Sequence, residues 1–417
     1  MHGTDAAQRA SLPIQVSNLT TVGTPGNGLA LRLRVPVGRL TLALGSDLKN
    51  TICTVRGSCA RMSGVHGDLS EPDNFRAFVR AIEREHGRPR RFRGDLETPW
   101  AIAHDLHPAF ISSCYARRLD GVPVAVQHHH AHGVSCAADA GASLPVLAIV
   151  CDGTGYGTDG AIWGGEVLLC RADSFTRVAH LEYFALPGGD AAVLAPWRTA
   201  MSLLKEAGCE GRIIRELLAF DGVDRGRQDF VARQLESGVN SPPTSSLGRL
   251  FDGVSFLLGL ATGETRDGQA ALRLQQLAES VSGPRGRGVE PFPFESARRA
   301  DGSMRLYWRP MVRAILDDLR SDVPAATLAM RFHRTVADLF AGAAADAARE
   351  WGTRNVALSG GCFANPLLRG LMADRLRLLG CSALVHRRVP CGDAGLSLGQ
   401  AIVAAATFSS QAKPSQE

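Results

Sequence analysis

Four histidines within five consecutive residues are the most distinctive chemical feature of this 417-residue sequence. They stand in Gln127-His128-His129-His130-Ala131-His132, directly after the apolar run Val122–Val126. The segment that follows has helical character, and if the histidines open that helix, His128 and His132 lie one turn apart on one face. Two imidazoles at this spacing can bind one divalent metal ion, although a single histidine is more often a packing or surface residue.

A glycine-rich segment follows what we interpret as a buried strand, Val146–Cys151. Its sequence is Asp152-Gly153-Thr154-Gly155-Tyr156-Gly157. Alternating glycines let backbone N–H groups approach a phosphate closely. The spacing matches neither the dinucleotide-binding fingerprint nor the Walker loop. We expect a phosphate-binding turn here, and a plain hairpin turn is the alternative.

A second glycine turn, Gly360-Gly361, connects a buried strand to a helix that begins near Asn365. The N-terminus of a helix carries partial positive charge and attracts anions. Asn365 could therefore contact a sugar or a phosphate, whereas the alternative is a tight turn with an ordinary helix start.

Two aspartates could complete a metal site with the histidines. Asp152 follows the buried strand directly, and Asp393 lies in a turn before the last helix. Each alone is more often a turn former or a helix cap. Together with two imidazoles they would give a set of nitrogen and oxygen ligands that suits Zn²⁺, Fe²⁺ or Mn²⁺.

The elements that would position these residues repeat along the chain. Each half opens with a hairpin and continues with alternating helices and strands. In the first half, we expect strands at Leu40–Leu44, Thr51–Val55 and Arg61–Ser63. In the second half, separate strands are expected at Ala161–Trp163 and Glu166–Cys170. This pattern predicts a duplicated α/β fold that binds ligands in the cleft between its lobes.

The expected division is a flexible arm at 1–38, subdomain I at 39–143 and subdomain II at 144–417. Subdomain II would carry a helical insertion at about 178–330, and the final helix would pack on subdomain I.

Composition narrows the functional class. The net charge of +5 is small for this length, and the one dense basic run, Arg88–Arg93, is better explained as a solvated loop than as a nucleic-acid site. An acidic protein partner is the other explanation for this run. No apolar run is long enough to span a membrane, and the start lacks a secretory signal. The ten cysteines include no Cys-x-x-Cys pair, which excludes a zinc ribbon and favours the reducing cytoplasm.

Several of these motifs together resemble the carbamoyltransferase domain of the HypF family of hydrogenase maturation factors. The resemblance runs from about residue 40 to residue 405. The same domain is similar to the tRNA threonylcarbamoyltransferase TsaD and to antibiotic O-carbamoyltransferases. The motifs that carry it are Val126–His132, Cys151–Gly157, Asp159-Gly160, Trp163–Glu166, Gly45–Thr51, Asp105–Pro108, Pro187–Asp190, Pro196–Arg198, Gly248–Asp252, Leu358–Gly361, Gly392-Asp393 and Gly399–Ala401.

The resemblance implies a two-lobed fold of the actin/Hsp70-like ATPase class with duplicated βββαβα subdomains. It implies a divalent metal, zinc or iron, together with ATP, AMP or carbamoyl-adenylate, with magnesium as a further cofactor. The metal ligands that it implies are His128, His132, Asp152 and Asp393. The nucleotide contacts that it implies are Asp152, Gly153, Thr154, Gly155, Gly157, Asp252, Asp267, Gly268, Gly360, Gly361 and Asn365. His130 and Lys49 are the candidate catalytic residues near the transferred carbamoyl group.

The chain also departs from the family pattern. Complete members carry acylphosphatase, zinc-finger and YrdC-like domains ahead of this one, so the chain resembles a truncated form. Arg266-Asp267 stands where the family usually has Tyr-Glu, and Leu194-Ala195 stands where it usually has Arg-Glu. Both changes fall in segments expected to contact nucleotide.

The resulting prediction is a carbamoyltransferase of [NiFe]-hydrogenase maturation. It would transfer a carbamoyl group from carbamoyl-adenylate, itself derived from carbamoyl phosphate, to the C-terminal cysteine of a HypE-like protein. A separate YrdC-like protein would make the adenylate. The alternatives are hydrolysis of carbamoyl phosphate, O-carbamoylation of a small molecule, and a non-catalytic nucleotide-binding scaffold.

Overall fold

The computed structural model describes residues 28–87, 100–220, 223–261, 263, 265–281 and 288–411. The basic run Arg88–Arg93 and residues 1–27 of the expected arm lie outside them.

The described strands are β1 (Leu29–Ala43), β2 (Cys53–Met62), β3 (Ala101–Asp105), β4 (Val122–Val126), β5 (Val146–Tyr156), β6 (Ile162–Cys170), β7 (Phe175–Leu181), β8 (Phe184–Ala185), β9 (Pro243–Thr244), β10 (Glu295–Arg298), β11 (Met304–Tyr307), β12 (Asn355–Ser359) and β13 (Ser382–Val385). The α-helices are α1 (Pro72–Gly87), α2 (Ile111–Ala116), α3 (His128–Ala140), α4 (Asp190–Leu194), α5 (Pro196–Glu206), α6 (Gly211–Phe220), α7 (Arg225–Ser237), α8 (Leu247–Leu257), α9 (Gln269–Glu279), α10 (Arg309–Arg320), α11 (Ala325–Trp351), α12 (Pro366–Leu378) and α13 (Leu396–Gln411). Short 3-10 turns occupy Gly361–Ala364 and Asp393–Gly395.

Two sheets share one topology. The first has the order β2-β1-β3-β4, and the second contains β6-β5-β12-β13 as consecutive neighbours. In each set the first two strands are antiparallel and the remaining pairings are parallel. A helix follows the last strand of each set, namely α3 after β4 and α13 after β13. This internal repeat confirms the predicted two-lobed actin/Hsp70-like fold.

Three sequence-based expectations about the strands are wrong. Residues 29–38 belong to β1, where Leu29 pairs with Met62 of β2, and so are not part of a loose arm. Arg61–Ser63 adds no third strand, because Arg61 and Met62 end β2. The two strands expected between Ala161 and Cys170 are one strand, β6. Gly164 and Gly165 keep it continuous, because a Cβ at either position would press against Ser246 or the Ser245 carbonyl.

The two equivalent helices α3 and α13 form the middle of the molecule. Helix α13 packs on β1, β2 and β3 of the first sheet, α3 packs on β5, β6 and β12 of the second, and the two helices pack on each other. Helices α1 and α2 contribute to the core on the outer face of the first sheet, and α5 and α8 to α12 to the core on the outer face of the second. None of the described helices is long and apolar enough to cross a membrane.

Two glycines permit this close packing. A Cβ at Gly133 of α3 would lie 2.6 Å from Cys170 Sγ and 2.8 Å from Ala148 Cβ of the second sheet. A Cβ at Gly399 of α13 would overlap the carbonyl oxygen of Ala131 in α3. The spacing of the two helices, and with it the spacing of their N-termini, therefore depends on residues without side chains.

We expect Gly399→Ala to lower the free energy of unfolding by about 2 kcal/mol, because the added methyl group must push α13 away from α3. Urea denaturation measures this change. Gly342→Ala is the matched control, since Gly342 lies inside α11 and a Cβ there would meet nothing within 4 Å. Replacing a helical glycine in open space by alanine should stabilise by up to about 1 kcal/mol. Equal stability of the two variants would contradict the packing argument.

Candidate metal centre and adjoining cleft

The sequence around the histidines forms the start of α3. Gln127 has an extended backbone and caps the helix, because its side-chain oxygen accepts a hydrogen bond from the His130 amide at 2.8 Å. The helix begins at His128, as the spacing predicted, and ends at Gly141 in the left-handed conformation with φ 76°. His128 and His132 consequently share one face of the first turn, and both side chains are almost completely buried.

Four side chains converge in front of this turn. The Asp152 Oδ2 atom lies 3.4 Å from His128 Nε2 and 3.1 Å from His132 Nε2. The Asp393 Oδ1 atom lies 3.7 Å from each of the same nitrogens. All four ligand atoms lie within 4.8 Å of one another. The ligands come from α3, from β5 and from the 3-10 turn before α13, so the cluster joins both halves of the chain.

The cluster fits a divalent cation. The Nε2 atoms of His128 and His132 and the Oδ2 atom of Asp152 are buried without a hydrogen-bond partner. A buried polar atom left unpaired costs on the order of 1–3 kcal/mol, so three such atoms that face one another are suited to binding a cation. Two imidazole nitrogens with carboxylate oxygens form a donor set for zinc or iron.

The opposite side of each histidine ring is fixed by the protein. His128 Nδ1 lies 2.7 Å from Oδ2 of Asp105, a fully buried carboxylate. His132 Nδ1 lies 3.3 Å from Ser359 Oγ. Donation from Nδ1 of His128 to a carboxylate leaves its Nε2 lone pair free to bind metal. Burial lowers the pKa of His128, but the carboxylates of Asp105 and Asp152 outweigh it and hold that pKa well above its usual value.

The second oxygen of each carboxylate is also held. Asp152 Oδ1 accepts hydrogen bonds from the amides of Gly153 at 2.8 Å and Gly361 at 3.1 Å. Asp393 Oδ2 accepts a hydrogen bond from Ser46 Oγ at 3.0 Å. Burial raises the pKa of Asp152, but the adjacent imidazoles of His128 and His132 outweigh it and hold the pKa well below its usual value. The carboxylates are therefore oriented, and Asp152 carries negative charge.

Asp152 also connects the metal cluster to the adjoining cleft. Its Oδ1 atom draws together Gly153 at the exposed part of β5 and Gly361 after β12. Gly360 has φ 100°, and a Cβ there would overlap the Cys151 carbonyl, so only glycine fits this turn. The structure thus brings Asp152, Gly153, Gly360 and Gly361 into one place.

A buried arginine organises the acidic residues predicted to contact nucleotide. Arg249 Nη2 lies 3.1 Å from Asp252 Oδ2 and 3.0 Å from Asp267 Oδ1. A Cβ at Gly153 would lie 3.6 Å from the same nitrogen, so the arginine stands beside the cleft. Burial raises the pKa of Asp252 to about 6, opposed by the charge of Arg249. The Nε and Nη1 atoms of Arg249 are buried without partners.

The predicted glycine turn at Asp152–Gly157 is wrong. Residues through Tyr156 belong to β5, and the chain turns only after Gly157, whose amide donates to the Ala161 carbonyl. The last two glycines have packing roles. A Cβ at Gly155 would overlap the His129 ring, and one at Gly157 would overlap the Trp163 indole. Thr154, which precedes Gly155, is exposed.

The Asn365 side chain caps the N-terminus of its own helix, α12. Its Oδ1 atom accepts a hydrogen bond from the Leu368 amide at 3.0 Å, and its Nδ2 atom lies 3.0 Å from His333 Nε2. One Nδ2 hydrogen and one Oδ1 lone pair of Asn365 remain for a contact to nucleotide. Gly268 has φ 73° at the start of α9, where a Cβ would meet nothing within 4 Å.

The two residues proposed to lie near the carbamoyl group are not among the clustered ligands. His130 Nε2 lies 2.7 Å from the Arg171 carbonyl, and its ring packs 5.3 Å from the Phe175 ring. It therefore faces the end of β6 and not the metal cluster, because it follows His128 by only two residues on the helix. Lys49 is exposed in the turn between β1 and β2, with φ 48°.

Three further residues act at the site and were not assigned a role from the sequence. They are Asp105 and Ser359, which orient the histidines, and Arg249, which joins the acidic pair. Asp105 and Arg249 lie in motifs that carry the family resemblance. Ser359 also lies in such a motif, Leu358–Gly361, directly before the glycine pair.

The two departures from the family pattern lie side by side. The Thr265 amide donates a hydrogen bond to the Leu194 carbonyl at 2.8 Å, which places the segment around Arg266 against the end of α4. Asp267 keeps a carboxylate at the family's glutamate position, and this carboxylate pairs with Arg249. The change from glutamate to aspartate therefore shortens an acidic side chain without removing its charge.

Comparison with known proteins places the whole site in matched regions. The profile described as "HypF Kae1-like domain" matches residues 37–139, and the profile described as "Carbamoyltransferase, Kae1-like Domain, second subdomain" matches residues 148–400. The carbamoyltransferase HypF homolog of Cupriavidus necator is 38% identical over 376 residues, which cover 87% of this chain and 91% of that protein. The carbamoyltransferase HypF of Synechocystis sp. is 32% identical over 385 residues, 89% of this chain and 48% of that protein.

Solved structures of HypF proteins are also similar to this chain. A crystal structure of full-length HypF in the phosphate- and nucleotide-bound form superposes with a TM-score of 0.80 at 34% identity, covering 90% of this chain and 47% of that one. The HypF of T. kodakarensis superposes with a TM-score of 0.76 at 27% identity, covering 96% and 50%. The chain thus spans nearly all of the Cupriavidus relative and about half the length of the others.

We expect the purified protein to bind one zinc or iron ion, and His128→Ala or His132→Ala to abolish binding, because each substitution removes one of four ligands. Metal content after dialysis against a weak chelator measures this. Asp105→Asn should weaken binding about 10- to 100-fold by releasing the His128 ring. His130→Gln is the control on the same helix and should keep the full metal content. Metal retained after both ligand substitutions would contradict the assignment.

We expect His333 to make stability depend on pH. Burial lowers the pKa of His333 to about 4, so the folded protein keeps the ring neutral. A histidine with a lowered pKa contributes stability above its unfolded value near 6.5, and this contribution is lost as the pH falls from 6.5 towards 4. Between pH 7 and pH 5 the loss from one such group is about 2 kcal/mol. Urea denaturation at both pH values should show that His333→Gln loses about 2 kcal/mol less stability than the unchanged protein. Equal losses in the variant and the unchanged protein would refute the prediction.

Proposed function

This chain belongs to the HypF family of carbamoyltransferases, and on that basis we propose that it transfers a carbamoyl group from carbamoyl-adenylate to the C-terminal cysteine of a HypE-like protein in [NiFe]-hydrogenase maturation. The observation that supports this most directly is Asp152. One of its oxygens faces the metal cluster, and the other binds two backbone amides of the cleft. A metal ion bound to Asp152 and a phosphate placed against Gly153 and Gly361 would be immediate neighbours.

The residues of the cleft have separate tasks in this proposal. Gly153 and Gly361 leave space for a phosphate close to the backbone. Arg249 supplies positive charge beside Gly153, and Asp252 with Asp267 keeps the guanidinium in place. Asp105 and Ser359 orient the two histidines. The metal, when bound, would neutralise the negative charge that develops on the leaving phosphate.

The nucleophile in the proposed reaction is the acceptor thiolate. Its sulfur bonds to the carbamoyl carbon, and the bond from that carbon to the phosphate oxygen of AMP breaks, so that AMP departs with the electron pair. Three cysteines of this chain, Cys151, Cys362 and Cys391, lie in the segments that form the site. Burial raises the pKa of each of these thiols, and for Cys151 and Cys362 the rise is large. Protonated thiols are poor nucleophiles, which supports an external one.

The proposal places synthesis of carbamoyl-adenylate from carbamoyl phosphate and ATP on a YrdC-like adenylating protein. The residues of this chain resemble the transfer domain of the family, and the motifs quoted above belong to that domain. A cytoplasmic location is part of the same proposal, since all ten cysteines of the chain are free thiols.

Supplied carbamoyl-adenylate tests the transfer step directly. We expect incubation with the protein and a HypE-like acceptor to release AMP and add one carbamoyl group to the acceptor's last cysteine, as seen by mass spectrometry of its C-terminal peptide. The double variant His128→Ala/His132→Ala should lose activity by about 100-fold or more, because the charge on the leaving phosphate is no longer neutralised. The control variant His130→Gln should retain activity.

Other outcomes of the same assay separate the remaining functions. Release of phosphate from carbamoyl phosphate without an acceptor would indicate hydrolysis and would overturn the transfer proposal. Carbamoylation of a small alcohol but not of the thiol would indicate an O-carbamoyltransferase. Tight acceptor binding that survives loss of the metal ligands, with no turnover, would indicate a scaffold.

A further inference from the structure

A second polar pocket lies behind the metal cluster. Its volume is about 270 Å³, and it sits at the carboxyl ends of β12 and β13, between the start of α12 and the segment 386–391. Three arginines are among the residues that line it. The residues that matter here are Phe363, Arg369, His386, Arg387, Arg388 and Cys391. The nucleotide contacts named above do not include any of these residues.

The pocket has an excess of positive charge. Arg369, Arg387 and Arg388 are among the residues that line it, and no aspartate or glutamate is. An acid pairs with one of these arginines: Asp139, buried at the end of α3, has its Oδ1 3.7 Å from Arg388 Nε. Three guanidinium charges less one carboxylate leave two positive charges. Burial lowers the pKa of His386 to about 4, so this residue stays neutral at pH 7 and adds no charge.

The wall of the pocket is fixed before any ligand binds. Asp139 Oδ2 accepts hydrogen bonds from three consecutive amides, those of Arg387, Arg388 and Val389, at 2.5, 2.9 and 3.1 Å. On the opposite side, Arg369 Nη1 donates to the Phe363 carbonyl at 2.8 Å. This bond uses one of the five N–H groups of a guanidinium. A preformed wall lowers the entropic cost of binding.

The pocket and the metal cluster share a partition. The Cys391 carbonyl accepts hydrogen bonds from the Gly360 amide at 2.8 Å and from Ser359 Oγ at 3.3 Å. His386 Nε2 lies 2.9 Å from the same Ser359 Oγ, which in turn faces His132. A ligand in the pocket would therefore be separated from the cluster by Ser359 and Gly360.

We propose that this arginine pocket binds a small phosphate-class oxyanion, either inorganic phosphate or the phosphate group of a small metabolite. Guanidinium forks match the geometry of phosphate oxygens and pair with two of them at once. The two uncompensated positive charges match the phosphate dianion better than a carboxylate of single charge. The apolar part of the lining, Leu358, Phe363 and Val385, leaves room for a few additional atoms. The proposal concerns binding and does not depend on carbamoyl transfer.

Calorimetric titration of the metal-free full chain with inorganic phosphate at constant ionic strength tests the proposal. We expect saturable binding of one phosphate that survives His128→Ala/His132→Ala, because the pocket does not use the metal ligands. Arg387→Gln/Arg388→Gln should weaken binding at least about tenfold through loss of charge-assisted hydrogen bonds. The single variant Arg387→Gln, at an exposed position, should weaken it less without disturbing the fold. Thermal unfolding without phosphate checks that each variant is folded.

Arg377→Gln is the matched control. Arg377 lies on α12 like Arg369, but its side chain is 73% exposed and outside the pocket. We expect its affinity for phosphate to equal that of the unchanged protein. Equal weakening by Arg377→Gln and by the pocket variants would show diffuse charge attraction and would overturn the proposal. The absence of saturable binding would also overturn it. So would phosphate binding that is lost in His128→Ala/His132→Ala but kept in Arg387→Gln/Arg388→Gln.

Parallel titrations identify the source of the phosphate. Tighter binding of carbamoyl phosphate or AMP than of inorganic phosphate, again lost in Arg387→Gln/Arg388→Gln, would support a phosphorylated metabolite as the ligand. Tighter binding of inorganic phosphate would support the free ion. Acetate tests whether the pocket prefers a phosphate to a carboxylate. Acetate binding as tight as phosphate binding would refute the phosphate assignment.

Discussion

Two carboxylates face two buried imidazoles at the centre of this molecule, and this arrangement of charges suits a cation. Asp152, Asp393 and the more deeply placed Asp105 surround histidines that have almost no access to solvent. Protons on the imidazoles can balance part of this negative charge, as the raised pKa of His128 indicates. Burial opposes this protonation, because it lowers the same pKa. A divalent ion satisfies the unpaired nitrogens and carboxylate oxygen at once. Each ligand is held on its other side by Asp105, Ser359, Ser46 or the amides of Gly153 and Gly361, so the site is rigid before metal binds.

The internal repeat explains how such a site arises between residues far apart in the chain. Helices α3 and α13 occupy equivalent positions in the two halves and pack on each other at the centre. Their N-termini bring the histidines and the turn of Asp393 to one place. Close approach requires Gly399 and Gly133, which have no side chains to separate the helices from each other and from the second sheet. The packing of two helices thus sets the distances within the metal cluster.

Two buried aspartates, Asp105 and Asp139, hold the segments at the two ends of helix α3. Asp105 holds the ring of His128 at the start of α3, and Asp139 at its end holds the segment that leads to Asp393. Buried carboxylates without partners would destabilise the fold, so each is satisfied by backbone amides or by an imidazole. The arginine pocket lies along the segment that Asp139 holds, which places its proposed ligand next to the partition formed by Ser359 and Gly360.

The sequence alone determined the features that depend on local spacing. The four-residue interval between His128 and His132 placed them on one helical face, and Gln127 at the preceding position caps that helix. The family motifs supplied Asp152 and Asp393 as partners, and the alternation of elements supplied the duplicated fold. Only the tertiary structure decided the features that depend on contacts between distant segments. It showed that Gly155 and Gly157 accommodate the rings of His129 and Trp163 within a strand. It also showed that His130 turns away to β6, that Asn365 caps its own helix, and that Asp105 and Arg249 complete the site. Side-chain direction within a helix follows from residue spacing, whereas the neighbour that a side chain meets depends on how helices and sheets pack. That packing brings together residues up to 355 positions apart.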